Sequence, residues 1–201
     1  MNNIRFIFPF SLILFCLVSF LYFVNFSSPT NEKDLRSQYL KAGNFQLLSE
    51  GHSFELNQLN GHPVLLYFGY TSCPDVCPVG LAVIRDVLNS SEDFSSVSAL
   101  FVTLDPDRDS FQKLKEYVSF FHKNIIPLSG SIEQIKTVIE AYGGFFTYAS
   151  KNGKSFDDME TDYLVNHSAF YYLIDSEGQL MRVFDHSATS KEIAESLEAL
   201  L

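Results

Sequence analysis

One stretch constrains this chain more than any other: Pro63-Val64-Leu65-Leu66-Tyr67-Phe68-Gly69-Tyr70 is apolar at consecutive rather than alternate positions. A strand with one wet face alternates apolar and polar residues, so an unbroken run reads as a strand covered on both faces. Such strands lie in the middle of sheets flanked by helices, and the sequence supplies one directly. Val79, Val83, Ile84, Val87 and Leu88 recur at helical intervals until the Asn89-Ser90-Ser91 break. The unit then repeats. Residues 97–104 read as a second buried strand, Asp105-Pro106-Asp107-Arg108-Asp109 as a turn, and Phe111, Leu114, Tyr117, Val118 and Phe121 as one helix face. Asp109 and Gln112 have capping-box spacing, which predicts Asp109 as the N-cap of that helix.

A third strand, Ile125-Ile126-Pro127-Leu128, leads to a helix from Ser131, with Gln134 at the reciprocal capping position and Ile132, Ile135, Val138, Ile139 and Tyr142 on one face. Two short half-apolar runs around Gly51 read as a hairpin ahead of the central strand. Residues 169–174 and 179–184 read as a second hairpin turning at Asp175-Ser176-Glu177-Gly178. A last helix, capped by Thr189 with Glu192 three positions on, turns Ile193, Leu197 and Leu200 inward. Strand-helix units, a terminal hairpin and a closing helix describe an α/β sandwich of the thioredoxin type over residues 42–201.

A different segment precedes that domain. Residues 6–26 contain no charged side chain, and at about 1.5 Å per helical residue they match the roughly 30 Å hydrocarbon core of a bilayer. No small-x-small cleavage pattern precedes Ser27-Ser28-Pro29, so the segment reads as an uncleaved transmembrane anchor. Arg5 lies ahead of it and Glu32 and Asp34 follow, a bias that places residues 1–5 in the cytoplasm and the rest outside. No Arg-rich, Ser-rich presequence is apparent, so the expected location is the cytoplasmic (inner) membrane of a bacterium, crossed once, with the soluble domain facing the periplasm. Cys16, inside the apolar run, reads as a small hydrophobe. Residues 27–41 form a polar linker.

The chain has 14 Lys and Arg against 24 Asp and Glu, a formal net charge of −10, which excludes the cationic surface that nucleic-acid binding needs. Its three cysteines are too few for a disulfide-stapled fold or a four-cysteine zinc site. Cysteine chemistry therefore rests on Cys73 and Cys77. They lie in Thr71-Ser72-Cys73-Pro74-Asp75-Val76-Cys77-Pro78, after the central strand and at the start of the next helix, where open α/β sheets do their chemistry. Four positions apart on a helical turn, the thiols face one side, and a helix N-terminus favours their thiolate forms. Flanking prolines and a polar turn are poor core material, so the pair reads as functional. A metal would need a third donor. His52, His62, His122 and His186 read as solvated histidines, whereas His167 lies in a loop just ahead of the apolar run at Ala169, within reach of the cysteine turn. Two soft thiolates and an imidazole suit three-coordinate Cu(I), while zinc would want a fourth ligand or an open water position.

Tyr67-Phe68-Gly69-Tyr70-Thr71 followed by Cys73-Pro74-Asp75-Val76-Cys77-Pro78 resembles the signature of the Sco/SenC family. Leu104-Asp105-Pro106-Asp107-Arg108-Asp109 resembles that family's Asp-Pro-x-Arg-Asp element, and Asp162-Tyr163-Leu164-Val165-Asn166-His167-Ser168 resembles its histidine segment. The resemblance implies a membrane-anchored, thioredoxin-fold copper chaperone that binds copper, Cu(I) or Cu(II), through Cys73, Cys77 and His167. It would hand the metal to the dinuclear copper centre of cytochrome c oxidase. Its partners would be the copper-bearing oxidase subunit, a copper donor and a thiol reductant. Many members carry an acidic residue just before the histidine, where this chain has Asn166. Asp105, after a strand expected beside the cysteine strand, is a candidate to approach the metal from the side.

Such a protein is a carrier rather than a turnover enzyme. The alternative is a thiol-disulfide oxidoreductase, reducing the oxidase subunit's cysteines or sensing redox state, with His167 tuning the thiols. The extra residue relative to Cys-x-x-Cys, and the lack of a proline in Asn166-His167-Ser168, weigh against it. A peroxidase of the same fold would need only one activated cysteine, and the second argues against that reading.

Overall fold

The structure, a computed structural model, describes residues 42–150 and 163–201. The expected anchor at residues 6–26, the linker, Cys16 and the polar stretch 151–162 lie outside the described residues. Among the described residues no helix is long and apolar enough to cross a membrane.

In chain order the elements are β1 (Gln46–Ser49), β2 (His52–Glu55), β3 (Val64–Gly69), α1 (Val76–Leu88), β4 (Ser98–Thr103), α2 (Phe111–Ser119), β5 (Ile125–Leu128), α3 (Ile132–Ala141), β6 (Phe146–Ser150), β7 (Tyr163–His167), β8 (Tyr171–Ile174), β9 (Leu180–Phe184) and α4 (Ser190–Glu198). Five strands form the main sheet in the order β5-β4-β3-β8-β9. β3, β4 and β5 run parallel, while β8 pairs antiparallel with both β3 and β9. The apolar run expected to be central is central, and the reason is visible in its two faces. Leu65 and Tyr67 pack with α1, α2 and α4 on one side, and Val64, Leu66 and Phe68 pack with α3 and the β1–β2 hairpin on the other. Each face of β3 therefore removes apolar surface from water, worth about 1.5–3 kcal/mol for each large side chain fully buried.

The capping boxes expected at Ser131 and Thr189 are both formed. Three local expectations are corrected. Val79 faces solvent, because the inward stripe of α1 runs through Cys77, Leu81, Ile84 and Leu88. Asp109 is not the cap of α2: Ser110 takes that position, its hydroxyl accepting from the Lys113 backbone N–H at 3.3 Å, and Gln112 bonds Glu116 instead. The segment before Ser168 is not a loop but strand β7, paired antiparallel with β6 as a separate two-stranded ribbon, with Phe146 opposite His167.

Candidate metal centre

β3 ends at Gly69, and the backbone turns through Tyr70-Thr71-Ser72 to Cys73, whose N–H donates to the Tyr70 carbonyl at 3.3 Å. α1 starts three residues later. Asp75 precedes it without using its side chain as a cap, and Pro78 sits in the first turn, where its missing N–H costs no helical bond. The backbone N–H groups of Asp75 and Cys77, at the start of α1, favour negative charge on the Cys73 sulfur. Cys77, in the first turn of α1, is fully buried.

The third donor arrives from β7. His167 Nε2 lies 3.6 Å from Cys77 Sγ, while Nδ1 meets the Ser168 carbonyl at 3.0 Å. Engaging Nδ1 with a carbonyl aims Nε2 at the sulfurs. Tyr70 closes the site edge-on against the imidazole at 6.1 Å between ring centres. The thiols divide their roles. Hydrogen bonding with Cys77, and then with His167, holds the Cys73 thiol at about 3 against the opposing effect of burial. Cys77 is pushed up, first by its hydrogen bond to Cys73 and then by burial. One thiolate and one thiol share a proton at neutral pH.

Among the described residues no three His, Cys, Asp or Glu side chains form a finished metal cage as they stand. The donor set nevertheless fits a metal. Bonds of about 2.3 Å to sulfur and 2.0 Å to nitrogen, opened at tetrahedral to trigonal angles, separate the two ligand atoms by about 3.5–3.8 Å, which brackets the 3.6 Å between Cys77 and His167.

The turn after β4 braces both arms of the site. Asp109 is buried and accepts from the Thr71 N–H at 2.9 Å, from the Thr71 hydroxyl, and from the Thr103 hydroxyl at 2.7 Å. Asp105, fully buried, accepts from Arg108 Nε at 2.5 Å and from the Tyr163 hydroxyl at 2.6 Å. Arg108 also donates to the Tyr163 carbonyl at 3.0 Å and stacks over its ring at 3.6 Å. Tyr148, on the partner strand of the ribbon, donates to the Leu104 carbonyl at 2.9 Å. One turn thus holds the cysteine loop through Asp109 and the histidine ribbon through Asp105 and Arg108.

The SCO1/SenC family model matches residues 33–201. The chain belongs to the SCO1/SenC family. The SCO2-like protein of Rickettsia prowazekii is 37% identical over 182 residues, covering 86% of each chain. ScoI of Bradyrhizobium japonicum, solved with copper bound, superposes with a TM-score of 0.68 at 35% identity, covering 80% of this chain and 99% of that one. Yeast Sco1, also solved with copper bound, gives 0.66 at 35% identity over 80% and 90% of the two chains. The fold is accordingly the mixed α/β, thioredoxin-like fold of Sco proteins.

Within this Sco fold, Cys73, Cys77 and His167 converge, whereas His52, His62 and His186 are exposed and His122 caps its own loop by accepting from the Asn124 N–H at 3.1 Å. Both Asp105 oxygens are taken by Arg108 and Tyr163, so this carboxylate bears on the strand that carries the histidine. Tyr70, Thr71, Lys113 and Tyr163 were not singled out in the sequence. Tyr70 stands in the apolar run and Tyr163 in the histidine segment, and nothing local marks Thr71 or Lys113 as parts of a site.

Proposed function

We propose that this chain is a copper carrier, with Cys73 and Cys77 as thiolate ligands and His167 as the imidazole that completes a three-coordinate site. The observation that carries this reading is the meeting of two thiols and one imidazole at a helix N-terminus, with Cys77 Sγ and His167 Nε2 at 3.6 Å. Two soft sulfurs and one nitrogen favour Cu(I) over harder cations. Copper is cargo here: it arrives from a donor and leaves for an acceptor, and the half-exposed Cys73 is the ligand an incoming partner reaches first. The family resemblance supports the acceptor, the copper-bearing subunit of cytochrome c oxidase. The apolar run at residues 6–26 supports a membrane tether with the folded domain on the periplasmic side.

A second reading is favoured by the placement of the two thiols, Cys73 reachable at the start of α1 with its thiol held low by hydrogen bonding to Cys77, and Cys77 buried behind it. In it the Cys73 thiolate attacks a disulfide of the target, expelling one target thiolate, which takes a proton from water, and forming a mixed disulfide. Cys77 passes its proton to the second target sulfur as it displaces it, leaving Cys73 and Cys77 joined and the target reduced by two electrons and two protons, one from Cys77 and one from water.

Anaerobic titration of the reduced full chain with Cu(I) against a competing chelator separates the two. One ion per chain, bound about tenfold or more weaker after His167→Ala, a loss of roughly 1.4 kcal/mol per decade, is the carrier's result. Weak binding indifferent to His167 would sink the carrier and leave the reductase.

A further inference from the structure

Asp109 is a buried carboxylate that the ligand set does not use, and its surroundings are unusual for a structural residue. It touches neither ligand sulfur through a hydrogen bond, yet it collects donors from three parts of the fold. The Thr71 N–H and hydroxyl come from the cysteine turn, the Thr103 hydroxyl from the end of β4, and Lys113 Nζ, at 3.3 Å, from the first turn of α2. Lys113 extends the clasp, donating to Ser72 Oγ at 3.3 Å and to the Arg108 carbonyl at 3.0 Å. Both residues immediately before Cys73 are therefore gripped from beneath by one ion pair. Among the described residues, the backbone–backbone bond that closes their turn is the Cys73 N–H to the Tyr70 carbonyl, at 3.3 Å. A long backbone closure fixes a turn loosely and leaves its sulfur room to shift. A carboxylate that fixes the preceding residue by backbone and side chain together removes that freedom, and ordering a ligand before it binds raises affinity.

From this geometry we infer that Asp109, acting through Thr71, is the positioning residue of the cysteine turn and sets where the Cys73 sulfur stands relative to Cys77 and His167. The inference rests on the carrier reading only for its metal readout, since thiol reactivity reports the same placement without metal. Thr103 provides the internal control. Its hydroxyl bonds the same carboxylate and accepts from the Asp105 N–H at 3.0 Å, but it belongs to β4 and touches no residue of the cysteine turn.

The test uses the reduced full chain and its Thr71→Val, Thr71→Ser, Thr103→Val and Asp109→Asn variants. Thr71→Val keeps the shape of the side chain and removes only the hydroxyl, so it remains informative if Asp109→Asn does not fold. Cu(I) affinity by chelator competition, and the rate of Cys73 alkylation by iodoacetamide at fixed pH, are measured beside the thermal midpoint. The expected result is about a tenfold loss of Cu(I) affinity and a several-fold change in alkylation rate for Thr71→Val. Thr71→Ser should stay within about twofold of the wild type, and Thr103→Val should lower the midpoint while moving both site readouts clearly less than Thr71→Val does. Equal midpoint losses for Thr71→Val and Thr103→Val with neither site readout moved would make Asp109 a purely structural residue and overturn the inference. So would a loss with Thr71→Ser as large as with Thr71→Val. If the wild type binds no Cu(I), the carrier reading fails by itself, and the alkylation rates still decide the role of Asp109.

Discussion

Cys77 Sγ and His167 Nε2 lie 3.6 Å apart although ninety positions separate them in the chain. The contact joins the first turn of α1 to the end of a ribbon that is not part of the main sheet, so the site exists only when two separately built pieces meet. Its two sulfurs are unequal as a result: Cys77 is enclosed and Cys73 is half exposed.

That inequality sets the order of reaction. The thiolate is the nucleophile, and with the Cys73 thiol at about 3 and Cys77 pushed up, only Cys73 is both ionised and accessible at pH 7. Brief treatment of the reduced chain with iodoacetamide should give a single adduct, mapped to Cys73 by mass spectrometry, with Cys77 at least about tenfold slower. Equal labelling of both would contradict the shared proton.

The ribbon's tie to the turn after β4 predicts a second effect. Tyr163→Phe removes one buried hydrogen bond and leaves Asp105 paired with Arg108 at 2.5 Å. Losing one partner of a buried polar group costs about 1–3 kcal/mol, so the urea midpoint should fall accordingly. Copper affinity should fall by less than in His167→Ala, because the imidazole remains while its strand loosens. A Tyr163→Phe chain as stable as the wild type would show that the hydroxyl braces nothing.

What could be read in advance follows from how far each feature reaches along the chain. β3 was legible because two-sided burial writes itself as an unbroken apolar run, and the caps at Ser131 and Thr189 because a capping box closes within three residues. Asp109 marks the limit of that reach: its spacing to Gln112 imitates a cap, while its actual partner Thr71 is 38 positions away. The ribbon leaves little trace in the sequence, since β7 offers only Tyr163 and Val165 as inward residues, and the strand that pairs with it lies beyond the polar stretch 151–162. His167 was found by elimination among five histidines and by resemblance, and its strand and tautomer-setting contact with Ser168 required the fold.

Gly69 predicts a third outcome, on packing. A Cβ there would fall 2.8 Å from Phe101 Cε2 and 3.0 Å from Cys77 Sγ, and both neighbours are fully buried. With no space for either to retreat, Gly69→Ala should cost about 1–3 kcal/mol by overpacking and push the Cys77 sulfur off its place. A several-fold loss of Cu(I) affinity should accompany the fall in denaturation midpoint. Gly43→Ala, where a Cβ meets nothing within 4 Å, is the control and should change neither. An unaltered Gly69→Ala midpoint would mean that Phe101 has room the packing does not suggest.

The reduced cysteine pair also gives stability a pH dependence of definite sign. In the folded chain the Cys73 thiol titrates at about 3 and Cys77 well above its ordinary range. Between those limits the folded pair holds one proton, whereas unfolded thiols, with values of about 8.5, hold two until the pH approaches that value. Where the unfolded state binds more protons, stability rises with pH. The depressed Cys73 therefore contributes stability that is complete above about pH 8.5 and is lost as pH falls toward 3. Cys77 has the opposite sign, contributing fully below about pH 8.5 and losing its share as pH climbs toward its raised folded value. The two together peak near pH 8 to 9. Cys73→Ser removes the depressed group and the hydrogen bond that raises its neighbour. Denaturant midpoints of the reduced wild type and Cys73→Ser, followed from about pH 4 to pH 8, should diverge, with the wild type gaining as pH rises. The difference between the curves cancels the carboxylates common to both chains. Parallel curves would mean that the two thiols titrate independently of the fold, and the shared proton would have to be given up.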